Sequence, residues 1–231
     1  MKFGIIGGIG PASTIDYYNG IISRYRAKTN NYPKIVIESI NMNEMLNFFT
    51  HSDYDGVCNL LASALQNLKN ANADYAAIAS NTPHIIFDKL KKISPLPLVN
   101  IIEETCKYTV AAGYKKVLVL GTSFIMKSGI YENTLHKYKT DTVVPSKKDI
   151  EVFHNIIFPN LENGIIIRKD KQKMISLSEQ YISKYKINAV ILGCTEIPLM
   201  IKENDLSVPV INTTQIHIKA IADLMVNNVS A

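Results

Sequence analysis

The chain has 231 residues, 47% of them hydrophobic, enough to bury the core of one large domain or two smaller ones and too many for a disordered protein. The net charge of +5 comes from scattered lysines, and the longest cationic stretch, Arg168 to Lys173, is interrupted by Asp170, so a nucleic-acid partner is not expected. No apolar run approaches the roughly 18 residues of a membrane helix, Met1–Ile6 lacks signal-peptide character, and three cysteines without metal spacing point to a reducing compartment, the cytoplasm.

In chain order, the first expected strand is Phe3–Gly7, followed at once by Gly7-Gly8-Ile9-Gly10-Pro11 and a helix over Ser13–Tyr25. A strand over Lys34–Ile40 leads to a helix over Gly56–Asn70, where Val57, Leu60, Leu61, Ala64, Leu65 and Leu68 recur at helical spacing. The strand Tyr75–Ala79 runs into Ser80-Asn81-Thr82-Pro83-His84. Pro95 and Pro97 then break the chain ahead of a short strand, Leu98–Asn100, and a helix, Glu103–Ala112. The strand Lys116–Leu120 ends in Gly121-Thr122-Ser123, and helices are expected over Gly129–Lys137 and Ser176–Tyr185. The strand Ala189–Leu192 runs into Gly193-Cys194-Thr195-Glu196-Ile197-Pro198, and Val208–Ile211 precedes a final helix.

Apolar strands without polar alternation, separated by amphipathic helices, describe an α/β protein with mainly parallel sheets covered on both faces. The proline breaks divide it into two α/β lobes, residues 1–96 with 208–231 and residues 97–207. Ligands of open parallel sheets bind beyond the carboxyl ends of the strands, so the active site is expected in the cleft between the lobes.

The two junctions at Ser80 and Cys194 read alike: an apolar strand, a hydroxyl or thiol, a threonine, then a proline opening a helix. Such a junction aims backbone N–H groups and one reactive side chain beyond the strand tip. Cys58 and Cys106 sit in amphipathic helices and read as core. Cys194 lies between Gly193 and Thr195 at a helix start, where the dipole is expected to lower the thiol pKa. Gly8-Ile9-Gly10-Pro11-Ala12-Ser13 has two of the three glycines of a dinucleotide fingerprint, with Glu38 as a ribose-binding acid; the signal is weak. The other reading is a loop whose backbone amides approach a small carboxylate.

Together and in this order, Gly7-Gly8-Ile9-Gly10-Pro11, Asn81-Thr82-Pro83-His84, Gly121-Thr122 and Gly193-Cys194-Thr195-Glu196 resemble the cofactor-independent aspartate/glutamate racemases over essentially the whole chain. The resemblance implies two pseudo-symmetric lobes and two-base proton transfer at Cα without pyridoxal phosphate, other cofactor or metal. Two cysteines do this work in the family. Here the second is Cys194, and Ser80 stands where the first would be. The expected catalytic pair is therefore Cys194, as thiolate base, and Ser80. The resemblance assigns Ile9, Gly10, Pro11, Asn81, Thr82, Thr122, Ser123, Thr195 and Glu196 to substrate binding.

A serine hydroxyl is a far weaker acid than a thiol and cannot ionise near neutrality without an adjacent base. The expected enzyme thus turns over L-substrate better than D-substrate. The resemblance makes L-aspartate or L-glutamate the partner molecule and a homodimer the assembly, with no membrane partner. Yet the segments Asn41–Glu44 and Asn160–Asn163 carry no Lys or Arg for a distal carboxylate, which leaves Lys127, Arg168 and His217 as substitutes and a neutral amino acid as another substrate. Two alternatives stand: a single-cysteine isomerase or decarboxylase acting on a small dicarboxylate, and a non-catalytic amino-acid-binding protein.

Overall fold

The structure, a computed structural model, describes residues 1–228. Eight strands form two four-stranded sheets: β1 (Lys2–Gly7), β2 (Lys34–Ser39), β3 (Tyr75–Ile78) and β4 (Leu98–Val99) in one, β5 (Lys116–Gly121), β6 (Asp141–Val143), β7 (Ala189–Gly193) and β8 (Val210–Asn212) in the other. Every pairing is parallel, and the orders β2-β1-β3-β4 and β6-β5-β7-β8 repeat one topology.

The inner strands are the continuous apolar runs of the sequence. β1, β3, β5 and β7 are almost wholly buried, whereas the edge strands β2 and β6 alternate between half-buried and exposed. Full burial on both faces is why Ala76-Ala77-Ile78 and Val190-Ile191-Leu192 carry no polar alternation.

The chain divides into two compact units, Met1–Ile101 with the described residues from Thr214 onward, and Ile102–Thr213. Boundaries were expected at 96/97 and 207/208. They lie further on because Ala76 and Ala77 pair with Leu98 and Val99, holding β4 in the first sheet, and Val190 to Leu192 pair with Val210 to Asn212, holding β8 in the second.

In the first unit, Phe3, Ile5, Ala77 and Ala79 pack with Tyr17 and Ile21 of the helix Pro11–Thr29 and with Ile218, Ile221 and Met225 of the helix Thr213–Asn227. The other face of that sheet receives the helix Tyr54–Asn70 through Val57, Leu61, Ala64, Leu65 and Leu68, while Leu60 is only half-buried. In the second unit, Leu118, Leu120, Val190 and Leu192 pack with Phe153, Ile156 and Ile157 of the helix Lys147–Ile157 and Met174 and Tyr181 of the helix Arg168–Tyr185. The cationic stretch at Arg168 opens that helix with Arg168 itself exposed. Cys58 and Cys106 are buried, as expected of core residues. Among the described residues no helix is long and apolar enough to cross a membrane, and no group of three His, Cys, Asp or Glu could hold a metal ion.

Candidate active site

The carboxyl ends of β1 and β3 carry the candidates of the first unit. Their register, Ile6 opposite Ile78, sets the glycine loop beside Ser80. Ser13 fastens the two, its hydroxyl donating to the Ala79 carbonyl at 3.0 Å, one residue before Ser80. Ser80 (7% exposed), Asn81 and Thr82 are buried, and Thr82 begins a single 3-10 turn, Thr82–Ile86, rather than an α-helix. Ile9 and Gly10 are buried in the loop, and Pro11, the first residue of its helix, is exposed.

That loop is built for its own turn. Gly8 has φ +81°, and a Cβ there would lie 2.5 Å from the Ile40 carbonyl oxygen, so only glycine fits without strain. Its N–H donates to Thr14 Oγ1 at 2.9 Å, and Thr14 also donates to the Gly10 carbonyl at 3.2 Å. Glu38 accepts from Asn67 Nδ2 at 2.8 Å. The amide meant to reach a phosphate or carboxylate and the acid meant for a ribose thus already have partners inside the protein.

His84 ends the Asn81-Thr82-Pro83-His84 motif in full burial, stacked on Phe87 at 5.3 Å, and neither ring nitrogen has a hydrogen-bond partner. Burial pushes its pKa down to about 4, against the pull of the Ser80 and Asn81 carbonyls, so the ring is neutral. His217 is equally buried; its Nδ1 meets Tyr17 Oη at 2.7 Å and its Nε2 meets the Val99 carbonyl at 3.0 Å. Burial and the nearby His84 hold its pKa at about 3. Both contacts pin His217 inside the core, so it does not serve a distal carboxylate. Lys127 is ion-paired with Glu151 at 2.8 Å.

In the second unit the equivalent strand ends belong to β5 and β7, joined by the Gly121–Gly193 register. Both are glycine because the backbones crowd: a Cβ on Gly121 would lie 2.9 Å from the Gly193 carbonyl oxygen. Thr122 caps the helix Ser123–Ser128, accepting from the Ile125 N–H at 3.3 Å, and the Ser123 N–H approaches His154 Nδ1 at 3.5 Å. Thr122 is buried and Ser123 half-buried. Thr213 steadies the end of β7, its hydroxyl donating to the Leu192 carbonyl at 2.9 Å.

Cys194 is 6% exposed, and its thiol donates to Glu196 Oε2 at 3.1 Å; the Thr195 hydroxyl donates to the same oxygen at 2.8 Å. Oε1 of that carboxyl is buried without a partner. This geometry corrects the expectation of a lowered thiol pKa. Burial, and next the charge of Glu196, raise it well above the ordinary value. The helix meant to supply the dipole, Ile197–Met200, has only four residues. Burial raises the Glu196 carboxyl as well.

Glu162 is the residue that sequence reasoning passed over. It lies in the 3-10 turn Leu161–Asn163 with 9% exposure, and burial followed by the charge of Glu196 pushes its pKa up to about 7. The only signal in the sequence is an acid flanked by Leu161 and Asn163 where a solvated turn would serve as well. The second unit therefore gathers Cys194, Thr195, Glu196, Glu162, Thr122 and Ser123, and the first gathers Ile9, Gly10, Ser80, Asn81 and Thr82.

These observations define an α/β protein with two repeated parallel sheets, one presenting hydroxyl and amide groups and the other a thiol as well, beyond the tips of the inner strands. The family profile described as Asp/Glu/Hydantoin racemase matches residues 6–221, and the chain belongs to that family. A putative Asp/Glu racemase from Yersinia pestis superposes with a TM-score of 0.87 at 31% identity, covering 97% of this chain and 98% of the other. An aspartate racemase homologue from Pyrococcus horikoshii superposes with a TM-score of 0.82 at 37% identity and the same coverage. A broad specificity amino-acid racemase of Bacillus subtilis is 28% identical over 139 residues, 57% of this chain and 59% of that protein. The chain spans about half to three-fifths of the length of the first curated relatives it matches.

Proposed function

We propose that this chain is an amino-acid racemase that needs no pyridoxal phosphate, with Cys194 and Ser80 as its two proton-transfer groups, one for each face of Cα. The observation that carries the reading is the buried Cys194 thiol donating to the Glu196 carboxylate at the tip of β7. In this reading Glu196 receives the thiol proton along that hydrogen bond, leaving a sulfur anion to take the Cα proton. Burial raises the proton affinity of that sulfur, which suits it to so weak an acid. Substrate charge builds on the α-carboxylate as Cα is deprotonated, and Asn81, Thr82, Thr122, Ser123 and Thr195, with the loop Ile9 to Pro11, are the binding groups of this reading. The free cysteines and the family resemblance support a cytoplasmic homodimer.

The asymmetry between Ser80 and Cys194 has a defined kinetic form. Two enantiomers are equal in free energy, so kcat/KM for inversion must be the same in both directions. The L-preference therefore belongs to hydrogen exchange: Cys194 removes and returns the Cα proton of the L-form, while the alcohol of Ser80 completes inversion slowly. In deuterated buffer, the L-substrate should take up deuterium with retention faster than the D-form appears. Equal rates of exchange into both enantiomers would refute the asymmetry, and Cys194→Ser should abolish exchange altogether. Aspartate and glutamate are the substrates that the resemblance favours.

A further inference from the structure

His84 is 1% exposed, and both of its ring nitrogens are buried without a hydrogen-bond partner. A neutral imidazole carries one N–H donor and one acceptor, and leaving both unmet costs stability that a phenyl ring in the same place would not. Packing holds the ring there regardless. It stacks on Phe87, with centroids 5.3 Å apart and planes 11° from parallel, and meets His217 edge-on at 6.4 Å. His217 is itself pinned, by Tyr17 Oη at 2.7 Å and the Val99 carbonyl at 3.0 Å. The His84 backbone N–H donates to the Asn81 carbonyl at 3.0 Å, closing the turn that follows Ser80. The ring faces the Ser80 and Asn81 carbonyls without bonding to either.

A buried polar ring left unsatisfied four residues from a reactive alcohol points to chemistry rather than to packing. Ser80 is fastened from its amino side, where the Ser13 hydroxyl donates to the Ala79 carbonyl at 3.0 Å. His84 stands on its carboxyl side. Resting on the reading of Ser80 as the second proton-transfer group, we propose that His84 is its positioning residue. The ring N–H closes on the Ser80 carbonyl when substrate draws in the Asn81-Thr82 turn, and so fixes the hydroxyl for Cα. Hydrogen bonds that serve a reaction are often long in a free protein and tighten only with substrate bound. Ser80 and His84 lie in one unit and Cys194 in the other, so this brace bears on inversion more than on the exchange assigned to Cys194.

The test uses the full-length protein in deuterated buffer with L-aspartate, L-glutamate and L-alanine. Mass spectrometry reads retained deuterium uptake at Cα, and chiral chromatography reads inversion. His84→Phe, which keeps an aromatic ring against Phe87, should lower the ratio of inversion to retained exchange about tenfold, the scale of one hydrogen bond, through kcat more than KM. Its Tm should equal or exceed that of the parent, because an unmet polar ring has gone. His84→Gln, which keeps an N–H donor, should recover part of the ratio. A ratio unmoved in His84→Phe overturns this inference and leaves the racemase reading standing. A lowered Tm with exchange and inversion lost together also overturns it, since the ring would then be a packing element. A parent that exchanges but never inverts leaves Ser80 nothing to be positioned for, and only the assignment of Cys194 survives. A parent that exchanges none of the three amino acids overturns both readings.

Discussion

Replacing Glu162 by glutamine should stabilise the protein in alkaline solution and do little in acid. The carboxyl ionises at about 7 in the folded chain against an ordinary glutamate value of 4.5. Solvent still reaches this carboxyl, so the native state disfavours its charged form by only about 1–2 kcal/mol. An acid whose folded pKa is raised leaves stability intact below the unfolded value and withdraws it as pH climbs toward the folded one. The penalty is small at pH 5 and nearly complete at pH 8.5, a difference of about 1 kcal/mol after solvent screening. Glutamine carries no charge at either pH, so the advantage of Glu162→Gln over the parent should widen by that amount across this range. For a chain of this size the gap corresponds to roughly 2–4 °C in Tm, readable by calorimetry at the two pH values without ligand. A Tm difference that stays constant with pH would show that Glu162 is ionised freely in the folded state.

Gly8→Ala should cost about 1–3 kcal/mol, since alanine at φ +81° is strained and its Cβ would meet the Ile40 carbonyl; a chemical-denaturation midpoint within error of the parent would refute this. Tyr17→Phe removes the donor to a fully buried His217 Nδ1 and should cost about 1–3 kcal/mol in urea unfolding; a neutral result would mean that His217 finds another partner. Ser80→Cys should raise inversion relative to retained exchange by at least about tenfold, because a thiol ionises where an alcohol does not; an unchanged ratio would remove Ser80 from the chemistry.

The inner strands were legible in the sequence because burial on both faces leaves an unmistakable apolar run, as at Val117–Leu120 and Ala189–Leu192. β6 was not, since an edge strand of three residues, Asp141–Val143, needs no such run and borrows its definition from pairing with β5. The helix Lys147–Ile157 escaped notice although Ser146 caps it and Ile150, Phe153, Ile156 and Ile157 line its buried face; both signals lie in an otherwise polar stretch. The positions of Ser80 and Cys194 followed from the strand-to-helix junctions. The acidity of the thiol did not, because it depends on where the Glu196 carboxyl turns and on a helix that stops after one turn. The burial of Glu162 depends on tertiary packing around a three-residue turn, which local pattern does not encode.

The chain leaves its first unit after Ile101 and comes back at Thr214, so one unit is an uninterrupted insert in the other. During synthesis the insert has all its strands once Asn212 has been made, whereas the half begun first still lacks Ile218, Ile221 and Met225 beneath Phe3 and Ile5. Phe3 and Ile5, made before the insert, are thus among the last to find a finished core. A premature stop just after Thr213 would spare the later half and hollow out the earlier one.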